Sequence, residues 1–353
     1  MKKDELFKNL YKLKPNDRIL LITHSDLDGS GPVVILNKYF KHVNVQHCTN
    51  AVMSYSIREA VLETLSEGEY DVVVACDLSV EEADAELIDA SPNKEKFVLI
   101  DHHLTAEWLN KYSWASVESN LLEDSYRAPA YEGLPEHLNR SSSGTSLLYN
   151  YLIYIGIITN RDPDLDMFVH IVACYDTWDW MNTFTGADIC YNLNLLYSVY
   201  GSEIFDREFS ARFTTMDAAA IRNFNKQNKL LLEIEENKRD NFLKYVDRHF
   251  QTGKITIQDK EYSVCLWVGN NYLNDVFMKM KEHWPNRDLY IICYGTGISV
   301  RKTDDNKNIN VGEIVKMFNG GGHSAAGGFK VPTDLQMGYI QAAFKGCKLD
   351  IDF

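Results

Sequence analysis

Three clusters of acids and imidazoles stand directly behind apolar runs. His24-Ser25-Asp26-Leu27-Asp28-Gly29 follows RILLIT (18–23), Asp77 follows DVVVAC (71–76), and Asp101-His102-His103 follows FVLI (97–100). Carboxylate oxygens and imidazoles suit Mn²⁺, Mg²⁺ and related ions, and the absence of clustered thiolates argues against a structural zinc site. In HSDLDG the polar residues alternate, so an extended chain would turn His24, Asp26 and Asp28 to one side, and Gly29 would let it turn tightly away. A strand end, a polar turn and a helix N-cap would use the same residues. Asp77 taken alone reads as readily as a cap or turn residue. Asp101-His102-His103 says more, because three ionisable groups behind a wholly apolar strand are expensive to desolvate unless something binds them. All three clusters at successive strand ends are hard to explain as incidental polar turns.

Two further segments carry candidate chemistry. Ala173-Cys174-Tyr175-Asp176-Thr177-Trp178-Asp179-Trp180 offers two acids, either of which could complete a metal shell or cap a helix; the sequence does not rank Asp176 over Asp179. Near the C-terminus stands Asn319-Gly320-Gly321-Gly322-His323-Ser324-Ala325-Ala326-Gly327-Gly328. Its glycines let backbone N–H groups approach an anion, and His323 adds a side-chain donor. It is not a P-loop, since no Lys-Ser/Thr follows, nor a dinucleotide fingerprint, since the spacing and preceding strand are wrong. A tight turn with close helix packing would use the same glycines. Arg301 could make a bidentate phosphate contact, although a solvated strand-end arginine is the plainer reading.

The elements that must position these residues alternate between strand and helix. Runs at 18–23, 71–76 and 97–100 read as buried strands, and 33–40 and 80–89 as helices, which predicts an α/β fold with a parallel sheet covered by helices on both faces. Ligands of such sheets bind beyond the carboxyl ends of the strands, where the three clusters lie. The apolar centre 147–158 reads as a buried helix too short to span a bilayer. From Asp217 to about Phe250, Leu230, Ile234, Phe242 and Val246 recur among charged residues, as in a connecting helix. Beyond Gly253 a second strand–helix alternation predicts a smaller α/β domain. With 353 residues against about 100–200 per domain, the expected organisation is a domain over 1–190, a helical connector over 191–252 and a second domain over 253–353.

Composition narrows the function. Fifty Asp and Glu against thirty-six Lys and Arg leave a net charge of −14, which argues against a non-specific duplex binder but not against an enzyme for short phosphate-bearing ligands. Seven scattered cysteines without a CxxC pair fit free thiols in a reducing compartment. The opening MKKDELFKNLYKLK lacks an apolar h-region, so no signal peptide is expected and the setting reads as cytoplasmic.

HSDLDG, the lone Asp77, Asp101-His102-His103, the acid of YDTW and the late GGGHSAAGG occur in the order and approximate spacing of the DHH/DHHA1 phosphoesterase superfamily. The chain resembles its short oligoribonuclease (nanoRNase) members over nearly its whole length. The resemblance implies an N-terminal DHH domain with two divalent cations, usually Mn²⁺ with Mg²⁺ or Co²⁺ as alternatives, and a substrate-gripping DHHA1 domain. Carried over motif by motif, His24 and Asp26 would hold one ion and Asp28, His102 and Asp176 the other, with Asp77 bridging. His103 would face the scissile phosphate, while Arg301 and the loop Gly320, Gly321, Gly322 and His323 would grip the nucleotide. Asp77, His102 and His103 are then the catalytic candidates. The family acid in YDTW is the one followed by Thr, which favours Asp176. Some relatives place the histidine of the first motif further from the acids than His24 is from Asp26. The chain also lacks the OB-type domain expected of RecJ-like exonucleases, and its C-terminal motif is not that of family II pyrophosphatases.

The function expected is a metal-dependent phosphodiesterase that trims short single-stranded RNA or DNA, or dinucleotides, to mononucleotides, with no membrane partner and a homodimer open to it. Alternatives on the same site are hydrolysis of cyclic or linear dinucleotides or of nucleoside bisphosphates, and a RecJ-like single-strand exonuclease. From another class comes a catalytically silent nucleotide-binding module; such a relic would be expected to have lost an acid or imidazole, and none is missing.

Overall fold

Apolar runs rich in Val, Ile and Leu become adjacent strands of one parallel sheet, with side chains of alternate residues entering two different cores. The computed structural model of the chain describes residues 3–49, 52–64, 68–120, 142–181, 187–214, 224–303, 308–322 and 324–331. It forms two units, Met1–Glu235 and Glu236–Phe353. The first unit runs α1 (Lys3–Leu6), β1 (Arg18–His24), α2 (Leu27–Tyr39), β2 (His42–Cys48), α3 (Met53–Glu59), β3 (Val72–Cys76), α4 (Glu82–Ala90), β4 (Phe97–Asp101), β5 (Ala115–Val117), α5 (Gly144–Tyr154), α6 (Pro163–Asp176), α7 (Ala187–Thr214) and α8 (Lys226–Val246). The boundary between the units falls inside α8.

The five strands pair in the order β2-β1-β3-β4-β5, all parallel. Ile19, Leu21, Val72, Val74, Val98 and Ile100 enter one core with α2, α5, α6 and α7, while Leu20, Ile22, Val73, Ala75, Phe97 and Leu99 enter the other with α3 and α4. Helices thus cover both faces, and the sheet is of the α/β kind expected. β2 and β5 escape sequence reading for physical reasons. β2 is a half-exposed edge strand, HVNVQHC, in which polar residues take every second place, and β5 has only 3 residues. Leu193, Phe205, Phe209 and Phe213 of α7, within the stretch expected as connector, lie in the first core beside α2. α7 changes direction at Gly201, whose positive φ of 71° interrupts the helix.

The second unit contains β6 (Gln251–Ile257), β7 (Lys260–Val268), α9 (Leu273–His283), β8 (Leu289–Tyr294), β9 (Gly297–Arg301), α10 (Val311–Lys316), β10 (Gly321–Gly322) and β11 (Ala326–Lys330). Its six strands are ordered β10-β11-β9-β8-β7-β6. β7 and β8 are parallel, joined through α9, and the other pairs are antiparallel. Val264, Leu289, Val300, Val311, Ile314 and Val315 form its core. Among the described residues, no helix of either unit is long and apolar enough to cross a membrane.

Candidate metal centre

The carboxyl ends of β1, β3 and β4, neighbours in the sheet, bring the three clusters together. At the first, the expected extended HSDLDG does not form. Asp26 is the N-cap of α2, its carboxylate accepting from the Gly29 N–H at 2.9 Å, and Asp28 lies in the first helical turn. The cap satisfies one of the N–H groups that a helix start leaves free, so the helix begins at Leu27 rather than near Val33. Gly29 serves close approach instead of a turn, because a Cβ there would lie 2.0 Å from the His24 carbonyl oxygen.

Asp28 is held from two sides. Its Oδ2 accepts from the Gly144 N–H at 2.7 Å and its Oδ1 from the Thr145 N–H at 3.1 Å, while the Thr145 hydroxyl donates to its carbonyl at 2.8 Å. The N-terminus of α5, itself capped by Ser143, thus fixes the first turn of α2. Asp77 leaves β3 with φ 57°, a left-handed conformation that Asp tolerates better than most residues, and its N–H donates to the Ile100 carbonyl at 3.1 Å. Gly144 makes room for it: a Cβ on Gly144 would lie 2.5 Å from the Asp77 Cβ.

His102 occupies the centre. Its Nε2 stands 3.2 Å from Asp77 Oδ1, 3.6 Å from Asp176 Oδ2 and 3.8 Å from Asp28 Oδ2. His24 Nδ1 lies 2.6 Å from Asp26 Oδ2. Among the described residues three groups of candidate ligand atoms arise, each within 4.8 Å: His24, Asp26 and Asp77; Asp28, His102 and Asp176; and Asp77 with Asp101, His102 and His103. Asp176, at the end of α6, joins a group; Asp179 belongs to none of them and accepts from the Thr177 hydroxyl at 3.0 Å.

Asp101 is wholly buried and spends its oxygens on neighbours. It accepts from Ser79 Oγ at 2.7 Å and the His102 N–H at 2.8 Å, and its Oδ1 meets His103 Nδ1 at 2.7 Å. It therefore orients the His103 ring, as a carboxylate behind an imidazole commonly does at metal sites, and holds the main chain of His102.

The acids strain one another. Burial raises Asp77 well above the usual carboxylate range, and Asp28, Asp26 and Asp176 raise it further. Burial also pushes Asp176 up to about 7, opposed by His102 and reinforced by Asp28 and Asp26. Asp26 goes the other way: burial would raise it, but the hydrogen bond and charge of His24 hold it below its ordinary value. Burial would lower His102, yet Asp176, Asp28 and Asp101 outweigh it and raise it. Asp77 Oδ2 is buried with no hydrogen-bond partner among the described residues. Crowded carboxylates, an acceptor aimed at no donor, and an imidazole among them fit divalent cations of the Mn²⁺ or Mg²⁺ kind.

The remaining candidates lie in the second unit. Arg301, half-buried on β9, donates from Nη2 to Asn274 Oδ1 at 2.7 Å and lies over the Phe277 ring at 5.3 Å. Gly321 and Gly322 pair with Gly328 and Gly327 as β10 and β11. Gly320 and Gly322 are required by close backbone approach, since a Cβ on either would fall 2.3 Å from the opposite strand, whereas Gly321 faces open space. His323 lies outside the described residues.

Sequence reasoning missed Ser79, Gly144, Thr145 and the supporting role of Asp101, as well as His47 and Asp206 behind His24. SSSGTS (141–146) did carry a capping signal. Asp206, in the charged run FDREFSAR, carried none.

No protein-family profile matches the chain. It is 26% identical over 330 residues to the oligoribonuclease NrnB of Bacillus subtilis, a match covering 92% of this chain and 76% of that protein. In fold it is similar to RecJ of Thermus thermophilus in complex with Mn²⁺, with TM-score 0.56 and 13% identity over 96% of this chain and 52% of that one. It is also similar to an exonuclease RecJ bound to manganese, with TM-score 0.54 and 12% identity over 96% and 92% of the two chains. A third such structure is the DHH domain of a protein described as a member of a family of ribosomal proteins, with TM-score 0.51 and 14% identity over 96% and 88%.

Proposed function

We propose that this chain, which belongs to the DHH/DHHA1 phosphoesterase superfamily, is a metal-dependent phosphodiesterase that hydrolyses short oligonucleotides to mononucleotides. The observation that carries the reading is the position of Asp77, which belongs to the His24–Asp26 group and to the group with Asp101, His102 and His103, stands 3.2 Å from the His102 Nε2, and has one buried oxygen with no donor among the described residues. In this reading His24 and Asp26 hold one cation, Asp28, His102 and Asp176 hold the other, and Asp77 binds both.

Two divalent cations, Mn²⁺ first, would activate a shared water and neutralise the charge that develops during in-line phosphoryl transfer. The chain's own residues do the rest. Gly144 and Thr145 fix the Asp28 carboxylate through backbone N–H groups, so a ligand oxygen need not reorganise on binding. Asp101 accepts from His103 Nδ1–H and, against burial, its charge favours the imidazolium, whose Nε2–H is the donor offered to a non-bridging phosphate oxygen. In the second unit Arg301, Gly321, Gly322 and His323 would supply donors for the nucleotide phosphate, whereas the Gly320 N–H is already given to the Val315 carbonyl at 2.9 Å.

The substrate class is supported by the similarity to an oligoribonuclease, and the cations by the similarity to manganese-bound exonucleases. The net charge of −14 favours short strands over long ones, since each further phosphate adds repulsion. The six described cysteines are free, which agrees with a reducing, cytoplasmic setting. The test is hydrolysis by the Mn²⁺-loaded protein of end-labelled RNA and DNA from dinucleotides to about twenty-mers, with cyclic dinucleotides alongside. Efficiency highest on the shortest linear strands supports the reading. Efficiency rising steadily to the longest ones assigns a RecJ-like exonuclease instead, and cleavage confined to cyclic dinucleotides assigns a cyclic-dinucleotide phosphodiesterase.

A further inference from the structure

The helix that carries Asp28 has a proline one turn further on. In α2 the Asp28 carbonyl would ordinarily accept the N–H of the residue four positions later, but that residue is Pro32, which has none. Asp28 and Pro32 are both buried, so bulk water does not make up the loss, and a buried carbonyl without a donor is costly.

The missing donor comes from another helix. The Thr145 hydroxyl, wholly buried in the first turn of α5, donates to the Asp28 carbonyl at 2.8 Å. Gly31 makes the approach possible, since a Cβ there would lie 1.9 Å from Thr145 Oγ1. Pro32 opens the carbonyl, Gly31 clears the way to it, and Thr145 fills it from 117 positions further along the chain.

The contact matters because of what Asp28 faces. Its carboxylate accepts from the Gly144 and Thr145 N–H groups, and its Oδ2 stands 3.8 Å from His102 Nε2, in the group that includes Asp176. A carboxylate held by its oxygens alone leaves the main chain beneath it free to shift. Holding the carbonyl as well fixes both ends of the residue.

We propose that Thr145 is a positioning residue for the cation ligand Asp28: its hydroxyl supplies the donor that Pro32 withholds, so that α5 rather than α2 sets where the ligand stands. This rests on the reading of Asp28 as a cation ligand given above.

A double-mutant cycle tests it. Thr145→Ala and Thr145→Ser both lose the methyl group and both keep the backbone N–H, so they differ by the hydroxyl alone. In calorimetric titration with Mn²⁺, Thr145→Ala should bind one ion about 10- to 100-fold more weakly, as expected for lost support behind a metal ligand, while Thr145→Ser retains the affinity. Pro32→Ala returns an N–H to the helix, so in that background Thr145→Ala should cost much less. A hydroxyl with a merely structural role would lower the melting temperature without singling out one ion. An equal loss in both backgrounds, or Thr145→Ala and Thr145→Ser binding alike, overturns the proposal. Melting of the same variants in EDTA separates the two readings. A wild type that binds no Mn²⁺, with Pro32 and Thr145 still coupled in the metal-free melts, means that the ligand reading has failed and the positioning role with it. Two ions bound by wild type without that coupling means that the proposal alone has failed.

Discussion

His47 and Asp206 form a partly buried pair, with Nε2 2.6 Å from Oδ2, that ties the edge strand β2 to α7. The other ring nitrogen of His47 stands 3.0 Å from the carbonyl oxygen of His24. Both neighbours are acceptors, so the geometry calls for two ring protons and a cationic imidazole. Burial opposes that charge, but Asp206 and the His24 carbonyl outweigh it and raise the pKa. The pair thereby anchors the end of β1 from which His24 projects.

Asp206→Asn should weaken this anchor without emptying the core. Support of this kind behind a ligand is worth about tenfold or more in metal affinity, and the lost charge-assisted hydrogen bond costs about 1–3 kcal/mol of stability. Mn²⁺ titration and urea denaturation check the two effects. Unchanged Mn²⁺ affinity would show that His24 needs no such support.

Asp176 gives the metal-free protein a distinctive pH dependence. Its unfolded carboxyl ionises near 3.8, whereas in the fold it keeps its proton to about 7. Between those values the folded state binds the additional proton, so this group's contribution to stability falls as pH rises. Asp176→Asn should therefore flatten the decline in melting temperature between about pH 4 and pH 7 in EDTA, and Mn²⁺ should flatten it in wild type. Parallel curves for wild type and variant would remove Asp176 from the strained cluster.

Gly144→Ala should be far more damaging than an ordinary surface Gly→Ala change. Its Cβ would sit 2.5 Å from the Asp77 Cβ, and neither backbone can yield without moving Asp77 or Asp28. A cost of about 1–3 kcal/mol is expected from overpacking, together with loss of turnover. Wild-type stability in a melting experiment would show that the α5 terminus is more pliant than this packing implies.

Arg301→Ala separates substrate grip from metal binding. Arg301 belongs to the second unit, so its loss should raise KM for dinucleotides while Mn²⁺ affinity stays at the wild-type value. Stripping of the metal by this change would contradict the assignment of the cations to the first unit.

Much of the site was legible because its signals are local. Apolar runs ending in HSDLDG, Asp77 and Asp101-His102-His103 placed acids and imidazoles at strand ends, and the parallel α/β sheet followed from the same alternation. What stayed hidden depends on distant chain segments. Nothing in Gly144 announces that it must clear Asp77, and nothing in Asp206 announces His47, because both contacts join remote stretches of chain, 159 positions apart in the second case. For Asp28, alternation along an extended chain and a capped helix start share the one short pattern HSDLDG, and only the Asp26–Gly29 hydrogen bond decides between them, in favour of the capped helix. In the GGG segment, the tight-packing role of Gly320 and Gly322 depends on β11 opposite them, which spacing alone does not disclose.

The most direct test of the bridging acid is a calorimetric count of Mn²⁺ ions bound by wild type and by Asp77→Asn, which keeps the side-chain shape and tolerates the left-handed backbone. Wild type is expected to bind two ions. Asp77→Asn should bind both more weakly, with turnover lost and the metal-free melting temperature no lower, since the substitution removes a carboxylate that its buried neighbours disfavour. A wild type that binds at most one ion, or an Asp77→Asn protein that binds two with unchanged affinity, would contradict the account.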